Sequence, residues 1–429
     1  MAYESGILGR ALDEFLPQVQ LPPPPPADVA SLAPSDGPWT VILTGSTGSL
    51  GTYILAVLAR LPPERLRRVY CLNRSEPCPV KHRSALQDER FVFLRAAFDA
   101  PLLGLPQELY QQLLDEVTVV LHNAWTVNFL LPGEAFRPSL AGLRNFLHFS
   151  YRSPAHPPLL FVSSLGIGYA AELAHVDEVV YDDPLVADAI ADGYSQSKYA
   201  AERLIDAYAR STGLPAAVLR VGQIAGPVSL SPGMWPAREW LPTLLRASRY
   251  LGALPRSLGL HDAVDWIPVD AVAEIAVEVA EYFVGLGPPG PPPVGGGGAR
   301  APPGRAAFGP GAAVFNVANP ATVPFGDLVP HLFDFGVANR TVSGDEWLRL
   351  LGQSAAANEA AGKRTPPGAK LLLFYQRILE GNKPPIETAT HNLEVASATA
   401  RNLQPVNQRW LRRWLGEWGY RAMEVRAHL

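Results

Sequence analysis

An α/β fold, a doubly wound parallel sheet followed by a smaller, mainly helical C-terminal region, is what this sequence predicts, and three observations carry that expectation. From Trp39 onward, short apolar, β-branched runs alternate with segments of helical spacing, the pattern of βαβ units. The runs are apolar nearly throughout rather than at every second position, as suits strands covered on both faces. Three glycines, Gly45, Gly48 and Gly51, separate the first such run from the first helical segment, and glycines at a strand-to-helix turn are a recurring feature of doubly wound sheets.

Taken in order, the elements are "TVILTG" and a helix over Thr52 to Leu61, then "RVYCLN", "FVFLRA", a helix from Leu109 to Glu116, "VTVVLHNA", "LLFVSSLG", a helix around Tyr194 and "AAVLRVG". Residues 1–38 hold "LPPPPPADVASLAPSDGP", a proline-rich linker, so folding starts near Trp39. The expected units are 39–226 and 227–429, with elements near 264–283 and 314–320 returning to the first. The Pro/Gly-rich stretch 285–313 reads as a disordered insertion. "VFNVANP" adds a strand, and helices follow around Leu328, Trp347 and Leu371 before an amphipathic close, "NQRWLRRWLGEWGY".

The chain has 429 residues, 48% of them apolar, enough for one large or two moderate cores, and a formal charge of −4. Without a Lys/Arg-rich run, nucleic acid is not an expected partner. Two cysteines, Cys71 and Cys78, make no disulfide framework and no metal cluster. No run of 18 apolar residues occurs and the first twenty residues lack an apolar signal core, so the expectation is a cytoplasmic protein away from the membrane.

"GSTGSLG", Gly45 to Gly51 with Ser46, Thr47, Ser49 and Leu50 between, has the build of a pyrophosphate-binding turn: glycine allows the backbone N–H groups to approach, and a helix N-terminus adds partial positive charge. A purely structural turn is the bland reading. The end of the second strand discriminates between dinucleotides, because an acid there bonds the ribose hydroxyls of NAD whereas an Arg accommodates the 2′-phosphate of NADPH. Asn73 and Arg74 stand there, favouring NADPH, with Glu76 opposing. Arg83 joins the cofactor-binding set. Asp99 is placed for an adenine contact, and "HNAW", with Asn123 and Ala124, ends a strand at the same edge; each is equally readable as a strand-to-loop turn.

Tyr194 and Lys198 are four residues apart and share a helix face, whereas Tyr199 points elsewhere and Tyr208 is too far along. A phenol, with a pKa of about 10, transfers protons poorly near neutrality, and a neighbouring ammonium lowers it; Lys198 is the candidate. A solvated helix face would have the same spacing. Ser164, at the end of "LLFVSS", is the candidate to hold a substrate oxygen, with Ser163 a backbone-bonding neighbour. In "MWPAREWLPTLLRASRYLGALP", Trp235, Trp240, Leu244 and Leu245 read mainly as core, and secondarily as a channel lining.

With "VILTGSTGSLG", "VYCLNRS", "HNAWTVNF", "GYSQSKYAAERL", "LRVGQIAGP", "DWIPVD" and "LQPVNQRWLRRWLGEWGY" together, the sequence resembles the extended short-chain dehydrogenase/reductases, and more narrowly the thioester reductase domains of fungal nonribosomal-peptide-synthetase-like enzymes and carboxylic acid reductases. The resemblance implies a Rossmann-like domain with a substrate-binding C-terminal region. It also implies an acyl thioester on the phosphopantetheine arm of a carrier domain, reduced by NADPH to an aldehyde and in a second round to an alcohol. Ser164 and Tyr194 would stabilise and protonate the oxyanion, Lys198 would support Tyr194 and the cofactor, and Val221, Gly222 and Gln223 would lie near the nicotinamide. Some relatives lose the Tyr and cyclise their substrate instead; Tyr194 is present, which points to reduction. No adenylation or carrier motif accompanies it, so a terminal domain of a larger enzyme or a free-standing one is expected, as a monomer. The alternatives are a sugar-nucleotide epimerase or dehydratase that keeps NAD bound, and a nucleotide-sensing protein without turnover.

Overall fold

The computed structural model describes residues 37–75, 85, 87–229, 233–284, 311–380 and 384–422. The expected linker apart from Gly37 and Pro38, the expected insertion apart from Gly311, Ala312 and Ala313, and Glu76, Cys78 and Arg83 lie outside these residues.

The described chain divides into two compact units. The first comprises residues up to Gly222 with Asp270–Val317 and Thr388–Asn402; the second comprises Gln223–Val269, Ala318–Glu387 and the residues from Leu403. The return at Thr388–Asn402 is an element the sequence reading lacks.

The first unit is built on a parallel, Rossmann-like sheet of seven strands: β1 (Trp39–Thr44), β2 (Leu66–Asn73), β3 (Phe91–Arg95), β4 (Val119–His122), β5 (Leu159–Ser164), β6 (Ala216–Val221) and β7 (Ala313–Val317). Their order is β7-β6-β5-β4-β1-β2-β3, all pairs parallel. The order reverses between β1 and β4, and in such sheets the crevice at that point, beyond the carboxyl ends, is where ligands sit. Register brings Thr44 opposite His122, and Ser164 opposite Val221, at that edge.

The helices of this unit include α1 (Ser49–Leu58), α2 (Gln107–Glu116), α3 (Arg137–Arg152) and α4 (Gly193–Thr212). The sequence reading lacks α3, although Leu140, Leu143, Phe146, Leu147 and Phe149 mark its buried side. These residues meet Ile42, Tyr70, Val120 and Phe161 of the sheet and Leu204 and Ile205 of α4 in one apolar core. Helix α4 begins with Asp192 accepting from the Ser195 amide at 2.8 Å and ends at Gly213 with φ 74°, a left-handed cap that suits glycine.

One polar group is fixed deep beneath α4. Arg220 of β6 and Glu202 of α4 are 0% and 1% exposed and form a forked ion pair, with the shortest bond 2.7 Å. Two further Arg220 protons go to the carbonyls of Asp177 and Val179, at 2.9 and 2.7 Å, and Glu202 also accepts from the Ser163 hydroxyl at 2.6 Å. Ser163, expected to bond backbone, bonds a side chain instead, because the buried carboxylate needs every donor within reach.

The second unit contains α5 (Trp240–Leu251), α7 (Phe325–Asp334), α8 (Gly344–Ala360), α9 (Leu372–Leu379) and α10 (Gln408–Glu417); α6 (Val269–Phe283) returns the chain to the first. Its core includes Trp235, Leu244, Leu245, Trp266, Trp347 and Trp414, each at most 2% exposed, which makes Trp235 and the two leucines packing residues. Trp235 meets Trp414 edge-on with centroids 5.2 Å apart. Among the described residues no helix is long and apolar enough to cross a membrane.

Removing one partner of a fully buried ion pair strands the other charge, at a cost of about 3–5 kcal/mol. Glu202→Ala or Arg220→Ala is therefore expected to lower the stability of the first unit by that amount in urea unfolding, whereas a joint replacement by Leu and Met loses much less.

Candidate active site

The turn after β1 is shaped by glycine. Gly45 has φ 69°, and a Cβ there would lie 2.9 Å from the backbone of Ala124. A Cβ on Gly51 would lie 2.1 Å from the Gly45 carbonyl oxygen, so helix α1 packs directly on the turn. No side chain caps α1 and no acid sits in its first turn. Asn73 ties the end of β2 to the turn: its Oδ1 accepts from the Thr47 amide at 3.4 Å, and its Nδ2 donates to Ser46 Oγ at 2.7 Å. Asn123 donates to the Gly45 carbonyl at 3.2 Å, and the Ala124 amide donates to Thr44 Oγ1 at 2.9 Å. Arg74 is exposed beyond β2, and so is Asp99, whose turn is clamped by Asn145 Nδ2 donating to the carbonyls of Phe98 and Ala100. An uncapped helix N-terminus above a tight glycine turn, with an exposed cation beyond the second strand, fits a dinucleotide phosphate group.

Beside this turn, three successive residues of β5 are each engaged by a residue of α4. Lys198 Nζ donates to the Val162 carbonyl at 2.6 Å, Ser163 donates to Glu202, and the Ser164 hydroxyl stands near enough to Tyr194 to act on its phenol. Lys198 is 2% exposed and sits over the rings of Trp125 and Phe161, 4.4 and 4.3 Å from their centroids. Burial drives its pKa well below the ordinary lysine value, opposed by Glu202. Ser164 Oγ also accepts from the Gly166 amide at 3.0 Å.

Tyr194 departs from the expectation of a lowered phenol. Burial pushes it up to about 12, against the pull of the Ser164 hydrogen bond. Lys198 does not reverse this: its ammonium is directed at the Val162 carbonyl and lies 5.9 Å from the Tyr194 ring centroid. The phenol is consequently a proton-bearing donor at neutral pH. The other tyrosines of α4 belong to the core, Tyr199 and Tyr208 being 4% and 1% exposed.

Val221 closes β6, and the Gly222 amide donates to the Val317 carbonyl at 3.0 Å. Gln223 belongs to the second unit, where its amide oxygen accepts from Trp240 Nε1 at 2.5 Å and its nitrogen donates to the Ile224 carbonyl. Sequence reasoning missed Arg220 and Glu202. The signal for Arg220 was available, since an arginine inside an otherwise apolar strand requires a buried acid. His122 was also passed over as a ring: it is fully buried against Phe146 and Phe161, its pKa is depressed to about 3 by burial, and Nδ1 lies 2.9 Å from Thr44 Oγ1.

Residues 43–276 match the NAD-binding family described as male sterility protein. A carboxylic acid reductase of Neurospora crassa is 32% identical over 402 residues, which are 90% of this chain and 36% of that protein. An adenylate-forming reductase of Serpula lacrymans is 29% identical over 432 residues, 92% of this chain and 36% of that protein. The chain thus spans about a third of the length of these curated relatives. The terminal R domain of the myxalamid PKS-NRPS biosynthetic pathway superposes with a TM-score of 0.68 at 24% identity, covering 94% of this chain and 96% of that one, a likeness of fold.

Gly51→Ala places a methyl group against the Gly45 carbonyl and must shift the turn. Its expected effect is a fall in dinucleotide affinity of about tenfold or more, read by calorimetric titration, with the circular dichroism of the folded protein retained.

Proposed function

Because the chain belongs to the NAD-binding family described as male sterility protein, we propose that it releases an acyl group from the phosphopantetheine arm of a carrier protein by NADPH-dependent reduction of the thioester to an aldehyde. The observation that carries this reading is the grouping of Ser164 at the end of β5 with Tyr194 and the buried Lys198 of α4, at the carboxyl edge next to the glycine turn. The reductases among the relatives support it.

In this reading the turn Gly45 to Gly51, with the amides that open α1 at Ser49, Leu50 and Gly51, receives the pyrophosphate, Arg74 the 2′-phosphate and Asp99 the adenine, while Asn123, Ala124, Val221 and Gly222 border the nicotinamide half. The cofactor, when bound, supplies hydride to the thioester carbonyl carbon. Ser164 holds the carbonyl oxygen by a hydrogen bond, and Tyr194, protonated at neutral pH like any phenol, delivers the proton to the oxygen as negative charge develops there. The hemithioacetal so formed expels the pantetheine thiol and leaves the aldehyde. Lys198, donating to the Val162 carbonyl, holds α4 against β5 and would support the cofactor ribose from beneath. A second passage of the aldehyde through the same site gives the alcohol.

The reading is tested by adding NADPH and an acyl-pantetheine thioester to the protein and following absorbance loss together with aldehyde formation. No oxidation with any acyl thioester, alongside tightly retained NAD, would instead indicate an epimerase or dehydratase. Tyr194→Phe is expected to lower turnover by about 10²–10⁴-fold while NADPH affinity, measured by calorimetry, stays nearly unchanged. Arg74→Asp is expected to reduce the preference for NADPH over NADH by about tenfold or more, the worth of a charge-assisted hydrogen bond, in paired kcat/KM measurements.

A further inference from the structure

We propose that Phe129 selects the acyl group, its ring and the neighbouring Val127 and Leu130 forming an apolar wall against which the hydrocarbon of the acyl chain lies beside Tyr194. The inference rests on the thioester-reductase reading and adds the substrate class to it.

The wall is a turn fastened at both ends to the helix that carries Tyr194. At its start, Trp125 Nε1 donates to Ser197 Oγ at 3.0 Å, and that hydroxyl donates to the Tyr194 carbonyl at 2.7 Å. At its end, the chain passes so close to Gly193 that a Cβ there would lie 2.3 Å from the Leu131 carbonyl oxygen and 2.5 Å from the Gly133 amide. Between these two anchors Asn128 folds the turn by accepting from the Leu130 amide at 3.0 Å. The anchors, Gly193 and Ser197, flank Tyr194, so whatever the turn presents is presented beside the phenol.

What it presents is apolar. Val127, Phe129 and Leu130 are 69%, 58% and 93% exposed. The Phe129 ring is tilted by 57° against Tyr194 at 4.7 Å between centroids, on a phenol that is itself 7% exposed. No charged residue occurs from Trp125 to Gly133, so the turn offers nothing to a carboxylate or a phosphate. Apolar side chains exposed to water next to a proton donor suit a ligand whose reacting carbon carries a hydrocarbon tail.

The test uses the full chain with NADPH and the octanoyl, benzoyl and acetyl thioesters of pantetheine, which share one arm and differ only in the acyl group. The wild type is expected to favour the better of the two large groups over acetyl in kcat/KM. Phe129→Ala should lower that ratio by about tenfold, with most of the change in KM. Leu130→Ser, at a side chain almost wholly in solvent, should lower it in the same direction and serves if the first variant fails to fold. A ratio unchanged in both variants, an equal fall for all three thioesters, or a wild type indifferent to the acyl group overturns the inference while leaving the function reading intact. A wild type that reduces none of the three overturns the function reading, and the inference with it.

Discussion

The ion pair between Glu202 and Arg220 is the constraint on which the arrangement of the site depends. Two charges out of water are tolerated only when their geometry and remaining hydrogen bonds are satisfied, and here the guanidinium is shared among one carboxylate and two carbonyls while the carboxylate takes a further proton from Ser163. Helix α4 therefore cannot slide along the sheet without stranding a charge. Because Tyr194, Lys198 and Glu202 follow at intervals of four, they lie on one helix face, and locking Glu202 locks the other two. Lys198 then meets Val162 and Tyr194 meets Ser164. The candidate catalytic side chains are positioned by a residue pair that is not among them.

The same burial that holds the helix sets the acid–base character of its groups. Desolvation favours the neutral form of each ionisable side chain, so Tyr194 is pushed up and Lys198 down. The raised phenol carries its proton at neutral pH but is a weaker acid than a free one, so it gives that proton only to a strongly basic oxygen, and an amine of weakened basicity does not need a carboxylate partner of its own. The aromatic surroundings, Trp125 and Phe161 about the Lys198 head and Phe136 against Tyr194, exclude water from both.

Much of this was legible in the sequence, for physical reasons. Strands β1 to β7 announce themselves as apolar runs because both faces of the sheet are covered, and the glycine turn because no other residue fits where Gly51 meets Gly45. Tyr194 and Lys198 follow from helical spacing. Glu202 was not legible, since an acid in "YAAERL" has the look of a helix surface until the arginine on β6 is set beneath it. The direction of the Tyr194 shift was hidden too, because spacing reveals the neighbouring lysine but not the burial that sets the phenol. Helix α3 was overlooked because its polar positions mask a buried stripe, and Phe129 because an exposed turn leaves no periodic trace.

The distribution of tryptophan between the two units has an optical consequence. Of the nine tryptophans, only Trp39 and Trp125 belong to the first unit, and the others lie in the second, where Trp266, Trp414 and Trp418 each stand within ring contact of Trp235. Intrinsic emission and exciton-coupled ultraviolet dichroism will accordingly be dominated by the second unit. Of the two indoles of the Rossmann-like unit, Trp125 is the one that lies against the Lys198 head group, so a change in its share of the emission is the optical signal belonging to the site.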